Sequence, residues 1–307
     1  MPIYRQSNLR VAAIQLASGL NRSENLRQSE YYLREAVKEG AEVCVLPEHF
    51  SYLGTDRECS AQVEPLNGAL VEWGKKQAHR LGCWIVMGTF LECARRGRQP
   101  RQSGAKTGKL SQADTAEPET CDETMAQGDS ASASQLRSPA HLPYNVCCVI
   151  DQLGIPVGEY RKMHLFNSKV PGAGGCEADF VRPGKKTACI AFDDFWSLGL
   201  AVCYDLRFPE QFRDLRRQGA NILAVPAAFA ERTGRDHWEL LLRARAVENQ
   251  AYVIAANQCG QSGIGRYGHS MIVDPWGTVI AQAGEQPGIV FADQKASYIK
   301  DVRQLFG

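Results

Sequence analysis

The chain has 307 residues, of which 44% are hydrophobic and 22% charged, a balance typical of a globular protein with a sizeable core. Its formal net charge is +1, so the overall charge gives no reason to expect binding to nucleic acid or to an anionic membrane. No apolar run approaches the ~20 residues that a bilayer-spanning helix needs, which argues against a membrane protein.

The cysteines and the N-terminus bear on the cellular compartment. Eleven cysteines are scattered through the chain, mostly within apolar runs and without a Cys-x-x-Cys pair, and residues 1–10 lack the apolar core of a signal peptide. Free thiols in a reducing compartment are therefore expected, with no structural metal site and no cofactor. The sequence favours the cytoplasm, and Arg5 and Arg10 leave a short mitochondrial leader as the alternative.

Taken in chain order, apolar runs of strand length alternate with amphipathic helical patterns. Residues 9–16, 42–46 and 84–92 are predicted strands, and residues 21–38 and 69–80 are predicted helices. Because the strand runs are continuously apolar, the sheet they form should be covered by helices. The alternation predicts an α/β fold built in layers.

The alternation stops at a polar segment, residues 93–142, which is basic in its first third and acidic in its middle. Such a composition cannot bury enough apolar surface to offset the entropy of the chain. We expect a disordered insertion between two strands. A flexible loop without function and a regulatory or docking role for the basic stretch both remain open.

The pattern resumes after the insertion. Residues 144–150 and 157–160 are predicted as a hairpin, and residues 220–226, 237–250 and 251–256 as a strand, a long helix and another strand. The glycine-rich residues between them, 171–177, lack the third glycine of a dinucleotide fingerprint and do not join a strand to a helix. With no other linker in the chain, a single domain over residues 1–307 is expected.

Cys203 stands directly after the apolar run 198–202 and before a helical pattern that ends at Gly219. A strand-to-helix corner exposes its side chain, and the positive end of the following helix favours a reactive thiol of low pKa. The alternative is a buried structural cysteine, because free cysteines are among the most buried residues.

Two charged residues share this position at the end of an apolar run. Glu48 follows residues 43–47 and Lys162 follows residues 158–161. Ligands of layered α/β folds collect where strands end, and a carboxylate, an ammonium and a thiol together suggest covalent acyl transfer. Taken singly, either charge is more typical of a surface ion pair or a solvated hairpin.

Six motifs give the chain a recognisable pattern. They are Leu46-Pro47-Glu48 and residues 160–166, 199–210, 237–239, 243–250 and 267–277. With these motifs the chain resembles the nitrilase superfamily of carbon–nitrogen hydrolases, and within it the amidase branch that includes deaminated glutathione amidase and ω-amidase.

The resemblance implies a four-layer α-β-β-α sandwich with a carbon–nitrogen hydrolase core over about residues 9–293. It also implies a homodimer or a higher homo-oligomer, formed through the helices around residues 211–218 and 238–249. No nucleic acid or membrane partner is expected.

The resemblance further implies a Glu–Lys–Cys triad at Glu48, Lys162 and Cys203, with a second glutamate at Glu177. Cys203 would attack the amide carbon to form a thioester, and Glu48 would take the thiol proton and later activate water. Lys162 and the backbone N–H of Tyr204 would stabilise the oxyanion, with Glu177 orienting Lys162. Lys162 should lower the pKa of the thiol, and burial should raise that of Glu48.

The implied substrate is an amide of a small carboxylate, similar to deaminated glutathione or α-ketoglutaramate, hydrolysed with release of ammonia. Arg207 is one candidate anchor for the carboxylate, although bracing the corner by bonding backbone carbonyls is an equal alternative. Further candidate pocket residues lie beside Glu48 and in the predicted loop 229–235: Phe50, Tyr52, Arg232, Thr233 and Arg235.

Two other functions remain open on the sequence alone. Another hydrolase of the same superfamily, a nitrilase or an N-carbamoyl amidohydrolase, would share the triad and differ only in the pocket. A non-enzymatic scaffold protein would have no need for all three reactive residues.

Overall fold

The structure is a computed structural model that describes residues 8–93, 142–168, 170, 175–260 and 265–306. The predicted disordered insertion lies outside the described residues except for its two ends, and so does most of the glycine-rich stretch. Within the described part, no helix has the length and apolar character needed to cross a membrane.

Sixteen strands are present among the described residues. In chain order they are β1 Leu9–Gln15, β2 Val43–Val45, β3 Val63–Glu64, β4 Trp84–Val86, β5 Phe90–Glu92, β6 Tyr144–Ile150, β7 Pro156–Arg161, β8 Cys189–Ala191, β9 Ser197–Leu200, β10 Ile222–Ala227, β11 Tyr252–Asn257, β12 Cys259–Gly260, β13 Arg266–Tyr267, β14 Met271–Val273, β15 Val279–Gln282 and β16 Gly288–Gln294.

Six α-helices and two short 3₁₀ helices accompany them in the same residues. The α-helices are α1 Arg22–Lys38, α2 Asp56–Ser60, α3 Ala69–Leu81, α4 Pro209–Arg217, α5 Glu231–Asn249 and α6 Ala296–Phe306. The 3₁₀ helices are Glu177–Asp179 and Cys203–Arg207.

The main strands form two sheets. The first has the order β16-β1-β2-β4-β6-β5-β3, with β7 paired to β6, and the second has the order β15-β14-β11-β10-β9-β8. The central trios β1-β2-β4 and β9-β10-β11 are each parallel. Each trio therefore ends all its strands at one edge, where side chains from distant parts of the sequence can meet.

Strand alternation assigns the two faces of the first sheet to two different layers. On β1, Val11 and Ala13 belong to the apolar cluster shared with the second sheet, whereas Ala12 and Ile14 face a cluster that includes Leu33 of α1 and residues of α3. The other face of the second sheet packs on α4 and α5. The predicted four-layer α-β-β-α sandwich is confirmed.

The structure corrects two element boundaries. The predicted strand 84–92 is divided into β4 and β5, because Gly88 takes a φ of 62° and turns the chain. The predicted loop 229–235 is mostly helical, since α5 begins at Glu231. Its Ala230 N-cap makes no side-chain hydrogen bond, so the sequence carries no capping signal there.

Candidate active site

Lys162, which directly follows β7, lies buried between two carboxylates. Its Nζ is 3.0 Å from Oε1 of Glu48 and 2.8 Å from Oε2 of Glu177. Burial opposes the charge on this ammonium, but Glu177 and Glu48 outweigh burial and raise the pKa of Lys162 well above its ordinary value. Lys162 is therefore a fixed cation at the end of the first sheet.

Asn145, near the start of β6, connects the same two carboxylates. Its Nδ2 donates to Oε1 of Glu48 at 2.9 Å and to Oε1 of Glu177 at 3.2 Å. The backbone carbonyl of Asn145 accepts from the backbone N–H of Lys162 at 2.9 Å. One amide residue thus fixes the positions of both acids and of the backbone that carries the cation between them.

Glu48 also reaches the second sheet. Its Oε2 accepts from the backbone N–H of Ala228, just past β10, at 3.0 Å. The Cys203 thiol lies close enough to this carboxylate that each group shifts the pKa of the other. Cys203 follows β9, which pairs with β10. The carboxylate of one sheet and the thiol of the other therefore meet across the sandwich.

The charge states differ from those expected from sequence. Burial favours a neutral Glu48, but the Lys162 ammonium outweighs it and lowers the pKa of Glu48 to about 2. Burial and the charge of Glu48 raise the pKa of Cys203, and Lys162 offsets this only in part. The resting site accordingly holds a neutral thiol beside a carboxylate, and not a preformed thiolate.

The backbone at Cys203 forms a tight corner, with a φ of 49° that is uncommon for a non-glycine residue. Asp205, fully buried, holds this corner: its Oδ2 accepts from Val202 N at 2.8 Å and from Tyr160 Oη at 2.6 Å. Its Oδ1 accepts from His164 N at 3.0 Å. Because Tyr160 and His164 flank Lys162, Asp205 ties the corner to the segment that carries the cation.

These groups open onto a cavity of about 330 Å³, a volume within the range of small-molecule sites. Seven residues predicted from the sequence line it: Glu48, Lys162, Glu177, Cys203, Tyr204, Arg207 and Thr233. Within the described residues, no group of three or more His, Cys, Asp or Glu side chains is arranged to hold a metal ion.

Phe50 and Tyr52 were expected to wall the pocket, and the structure places neither against it. Phe50 is fully buried in the helix-facing core, with its ring 5.7 Å from that of Trp73. Tyr52 packs behind the cavity wall on a small apolar cluster that includes Leu91 and Val181. The turn after Glu48 directs these rings away from the cleft, which sequence spacing does not reveal.

The candidate arginines separate into two groups. Arg207 lines the cavity, where its guanidinium lies over the rings of Tyr204 and Phe229 at 5.7 and 5.6 Å and bonds Nδ1 of His237 at 3.2 Å. The bracing of the corner, an alternative role for Arg207, falls instead to Arg245, which donates to the carbonyl of Leu206 at 2.8 Å.

Arg232 and Arg235 lie outside the cavity. Both line a separate surface depression, in which Arg235 pairs with Glu231 at 2.5 Å. Both arginines belong to the first turns of α5, and not to the predicted loop. Their side chains are therefore directed away from the cavity.

Four further residues bear on the site and were not predicted from the sequence: His49, Ala228 and Arg266, which line the cavity, and Asn145, which contacts both carboxylates. Asn145 stands within a predicted strand and Ala228 acts through its backbone, so neither carries a side-chain signal of function. His49 directly follows Glu48, and its φ of 57° is not readable from the sequence. Arg266 precedes a recognised motif, residues 267–277, by one position.

An α-β-β-α sandwich with a thiol, a carboxylate and an ammonium in one cleft is an arrangement suited to a hydrolase. The Carbon-nitrogen hydrolase family matches residues 10–107 and 126–304. The gap between the two matched ranges falls inside the polar segment 93–142. The chain belongs to the carbon–nitrogen hydrolase family, and is therefore a hydrolase of carbon–nitrogen bonds.

Individual proteins support the same assignment. The chain is 37% identical to deaminated glutathione amidase of Synechocystis over 297 residues, which cover 95% of this chain and 94% of that protein. It is 36% identical to the human deaminated glutathione amidase over 298 residues, covering 96% and 79%.

Among solved structures, Saccharomyces cerevisiae Nit3, a member of branch 10 of the nitrilase superfamily, matches with a TM-score of 0.75 at 27% identity. The match covers 97% of this chain and 94% of Nit3. The resemblance to the nitrilase superfamily and its amidase branch is thus confirmed.

Proposed function

We propose that the protein hydrolyses an amide of a small carboxylate through a thioester on Cys203. The observation that carries this proposal is the meeting of Glu48, Lys162 and Cys203 in one cleft, although they lie far apart in the sequence. The reaction has two halves, and Glu48 moves a proton in each.

In the first half, Glu48 takes the thiol proton as the sulfur attacks the carbonyl carbon of the amide. The resting charge states suit this step, because the thiol is neutral and the carboxylate is ionised. Lys162 and the backbone N–H of Tyr204 stabilise the oxyanion. The C–N bond then breaks, the leaving nitrogen receives the proton from Glu48, and the acyl group remains on Cys203.

In the second half, Glu48 takes a proton from water as the water oxygen attacks the thioester carbon. A second oxyanion forms and collapses, the C–S bond breaks, and the sulfur regains a proton from Glu48. The carboxylic acid leaves, and the net reaction is amide plus water giving acid plus amine or ammonia.

Glu177 and Asn145 act as positioning residues in this scheme. Glu177 accepts from Lys162 and also from the backbone N–H of Phe166 at 2.8 Å, which fixes its carboxylate. With Glu177 in place, Lys162 remains charged even while Glu48 is transiently protonated. This arrangement keeps the oxyanion-stabilising cation available throughout the cycle.

Two observations support deaminated glutathione or an α-ketoglutaramate-like amide as the substrate. Both named relatives above are deaminated glutathione amidases, at 36–37% identity over nearly the whole chain. Arg207 lies in the cavity beside the nucleophile's neighbour Tyr204 and supplies a cation for the carboxylate of the acyl group.

We also propose that the protein forms a homodimer through α4 and α5, which pack side by side. Leu240 and Val247 of α5 are 66% and 52% exposed and lie seven residues apart on one face of the helix, an apolar surface that the partner helices would cover. Eight of the described cysteines, among them Cys44, Cys147 and Cys203, are free thiols, and on that ground we propose a reducing compartment such as the cytoplasm.

Replacement of the nucleophile tests the reaction. Cys203→Ala should abolish hydrolysis of deaminated glutathione and α-ketoglutaramate while the thermal unfolding temperature remains close to that of the native protein. Mass spectrometry of native protein quenched during turnover should find an acyl adduct on the Cys203 peptide.

The matched control is Cys147→Ala, which removes a buried thiol of β6 and should leave the reaction intact in the folded protein. Full turnover in Cys203→Ala would contradict the mechanism. Preference for nitriles, or release of carbon dioxide with ammonia, would indicate a nitrilase or a carbamoyl hydrolase instead.

A further inference from the structure

Arg207, the proposed anchor for the substrate carboxylate, is held in the cavity by aromatic rings and one histidine. Its guanidinium lies 5.7 Å from the ring of Tyr204 and 5.6 Å from that of Phe229, and its Nη2 is 3.2 Å from Nδ1 of His237. No carboxylate of the described residues forms a salt bridge with it, whereas Lys162 has two such partners. The positive charge of Arg207 is therefore available to a ligand.

The contact between Arg207 and His237 defines the state of the imidazole. A guanidinium carries only hydrogen-bond donors, so the ring nitrogen that it contacts must accept. Nδ1 of His237 is then unprotonated, and the proton of the neutral ring is assigned to Nε2. A doubly protonated imidazolium could not accept this hydrogen bond and would repel the arginine.

The position of His237 is fixed by its neighbour in α5. Trp238 is fully buried, and its indole N–H donates to the carbonyl of His269 at 2.8 Å. The ring of Trp238 also packs against Phe229, with the two ring centres 5.1 Å apart. Because Phe229 is one of the rings that Arg207 contacts, the imidazole and this ring form one packed support for the guanidinium.

This support matters because a flexible arginine loses conformational freedom when it binds a ligand. Ordering a long side chain opposes binding, and an arginine that is oriented in advance avoids part of that loss. His237 uses only one terminal nitrogen of Arg207, and in the described structure Nη1 and Nε make no other hydrogen bond. They remain for the two oxygens of a substrate carboxylate.

We propose that neutral His237 orients Arg207 for the carboxylate of the acyl group and is therefore a positioning residue for substrate binding. His237 is not among the described residues that line the cavity, so it acts through Arg207. Its loss should weaken binding of a substrate that carries this carboxylate and leave the chemical steps unchanged. The inference rests on the proposed function, because it takes Arg207 as the carboxylate anchor.

Matched substrates that differ by one charge provide the test. In 4-oxopentanamide a methyl group replaces the carboxylate of α-ketoglutaramate, and the rest of the molecule is the same. The native enzyme should cleave α-ketoglutaramate with a kcat/KM about 10-fold or more above that of 4-oxopentanamide, as expected for a charge-assisted hydrogen bond.

His237→Leu should raise KM for α-ketoglutaramate by about 3- to 10-fold, with kcat within about 2-fold of native, and should change 4-oxopentanamide little. His237→Asn should restore most of the native KM, because its Oδ1 places an acceptor near the position of Nδ1. In an Arg207→Gln background, His237→Leu should have no further effect.

The control is His79→Leu, at an exposed histidine of α3, which should keep the native preference. Thermal unfolding of each variant identifies any that fails to fold. Nitrogen-15 NMR of the histidine rings checks the contact without a ligand, since Nδ1 of His237 should be unprotonated and its resonance should shift in Arg207→Gln. A protonated Nδ1 would contradict the proposal.

Three kinetic results would also overturn it: equal losses for both substrates in His237→Leu, which would indicate a structural role in α5; equal losses in His237→Asn and His237→Leu; or additive losses in the double variant with Arg207→Gln. If no amide is cleaved at all, the proposed function fails by itself. The role of His237 is then measured by calorimetric binding of α-ketoglutaramate to Cys203→Ala, which His237→Leu should weaken by about 3- to 10-fold. Unchanged binding, or no binding, would reject the inference.

Discussion

Two regions of this interior are equally buried and are stabilised in opposite ways. Between the sheets, Val45, Val149 and Leu223 are fully buried among other apolar side chains. At the strand ends, Glu48 and Lys162 are 3% and 2% exposed, and they are charged. The apolar layer gains stability from the apolar surface area that it removes from water. The charged cluster is stable only because each of its buried charges is paired with an opposite charge.

The cysteines show what this difference means for chemistry. Burial raises the pKa of Cys147 in the apolar layer and of Cys203 at the strand ends. Of these two, only Cys203 lies beside a carboxylate, that of Glu48, and opens onto the cavity. A buried thiol is inert unless a base is positioned to remove its proton, and the charged cluster provides that base.

The largest effect is expected from removing the central cation. Lys162→Met should abolish turnover and, because it leaves two carboxylates buried together, should lower the free energy of unfolding by about 3–5 kcal/mol. Denaturant unfolding and steady-state kinetics measure the two losses separately.

The matched change in the apolar layer is Leu223→Ala, which creates a cavity and should cost a similar ~2–5 kcal/mol. Below its unfolding temperature this variant should keep most of the native kcat, since the cluster is intact. A Lys162→Met variant that is as active as Leu223→Ala would show that turnover does not depend on the charged cluster.

A smaller effect is expected from a change at Asp205, which holds the tight backbone corner at Cys203. Asp205→Asn keeps the shape but replaces an acceptor with a donor opposite Tyr160 Oη and Val202 N. The stability should fall by roughly 1–3 kcal/mol, and displacement of Cys203 should reduce kcat by up to about 100-fold with KM little changed.

Alkylation of Cys203 by iodoacetamide should slow in parallel in this variant. Asp214→Asn is the control, because Asp214 accepts from Thr187 at 2.8 Å away from the cavity. Native kinetics in Asp205→Asn would remove Asp205 from the positioning role.

The smallest effect is on the pH dependence of stability. The folded pKa of Glu48, about 2, lies below its ordinary value of 4.5. Its contribution to stability is therefore fully present above about pH 4.5 and is lost as the pH falls toward 2. Between these limits the free energy of unfolding should fall by on the order of 1 kcal/mol per pH unit from this group.

Denaturant unfolding between pH 5 and pH 3 on the native protein and on Glu48→Gln measures this contribution, with the variant expected to show the shallower slope. The comparison must use the difference between the two proteins, because other carboxylates titrate in the same range. Identical slopes would mean that Glu48 is not held ionised by Lys162.

The fold was readable from the sequence because its signals are local. Apolar runs such as residues 9–16 and 220–226 identify buried strands by their length and composition, and the helical patterns between them require a layered arrangement. Glu48, Lys162 and Cys203 were readable for a related reason: each follows such a run, and strand ends of a parallel sheet converge.

What the sequence could not decide is which way each neighbouring group faces. Phe50 turns into the core and Arg207 into the cavity, although both lie within four residues of a predicted catalytic residue. Asn145 of β6 contacts both buried carboxylates and Arg266 of β13 lines the cavity, although neither residue was predicted from the sequence. The charge state of Glu48 likewise depends on an ammonium 114 positions away in the chain. Local sequence patterns determine where strands and helices occur. The orientation of a side chain, its contacts and its pKa are decided only when distant segments pack together. The reason is that burial and Coulomb interactions depend on distance in space and not on distance along the chain.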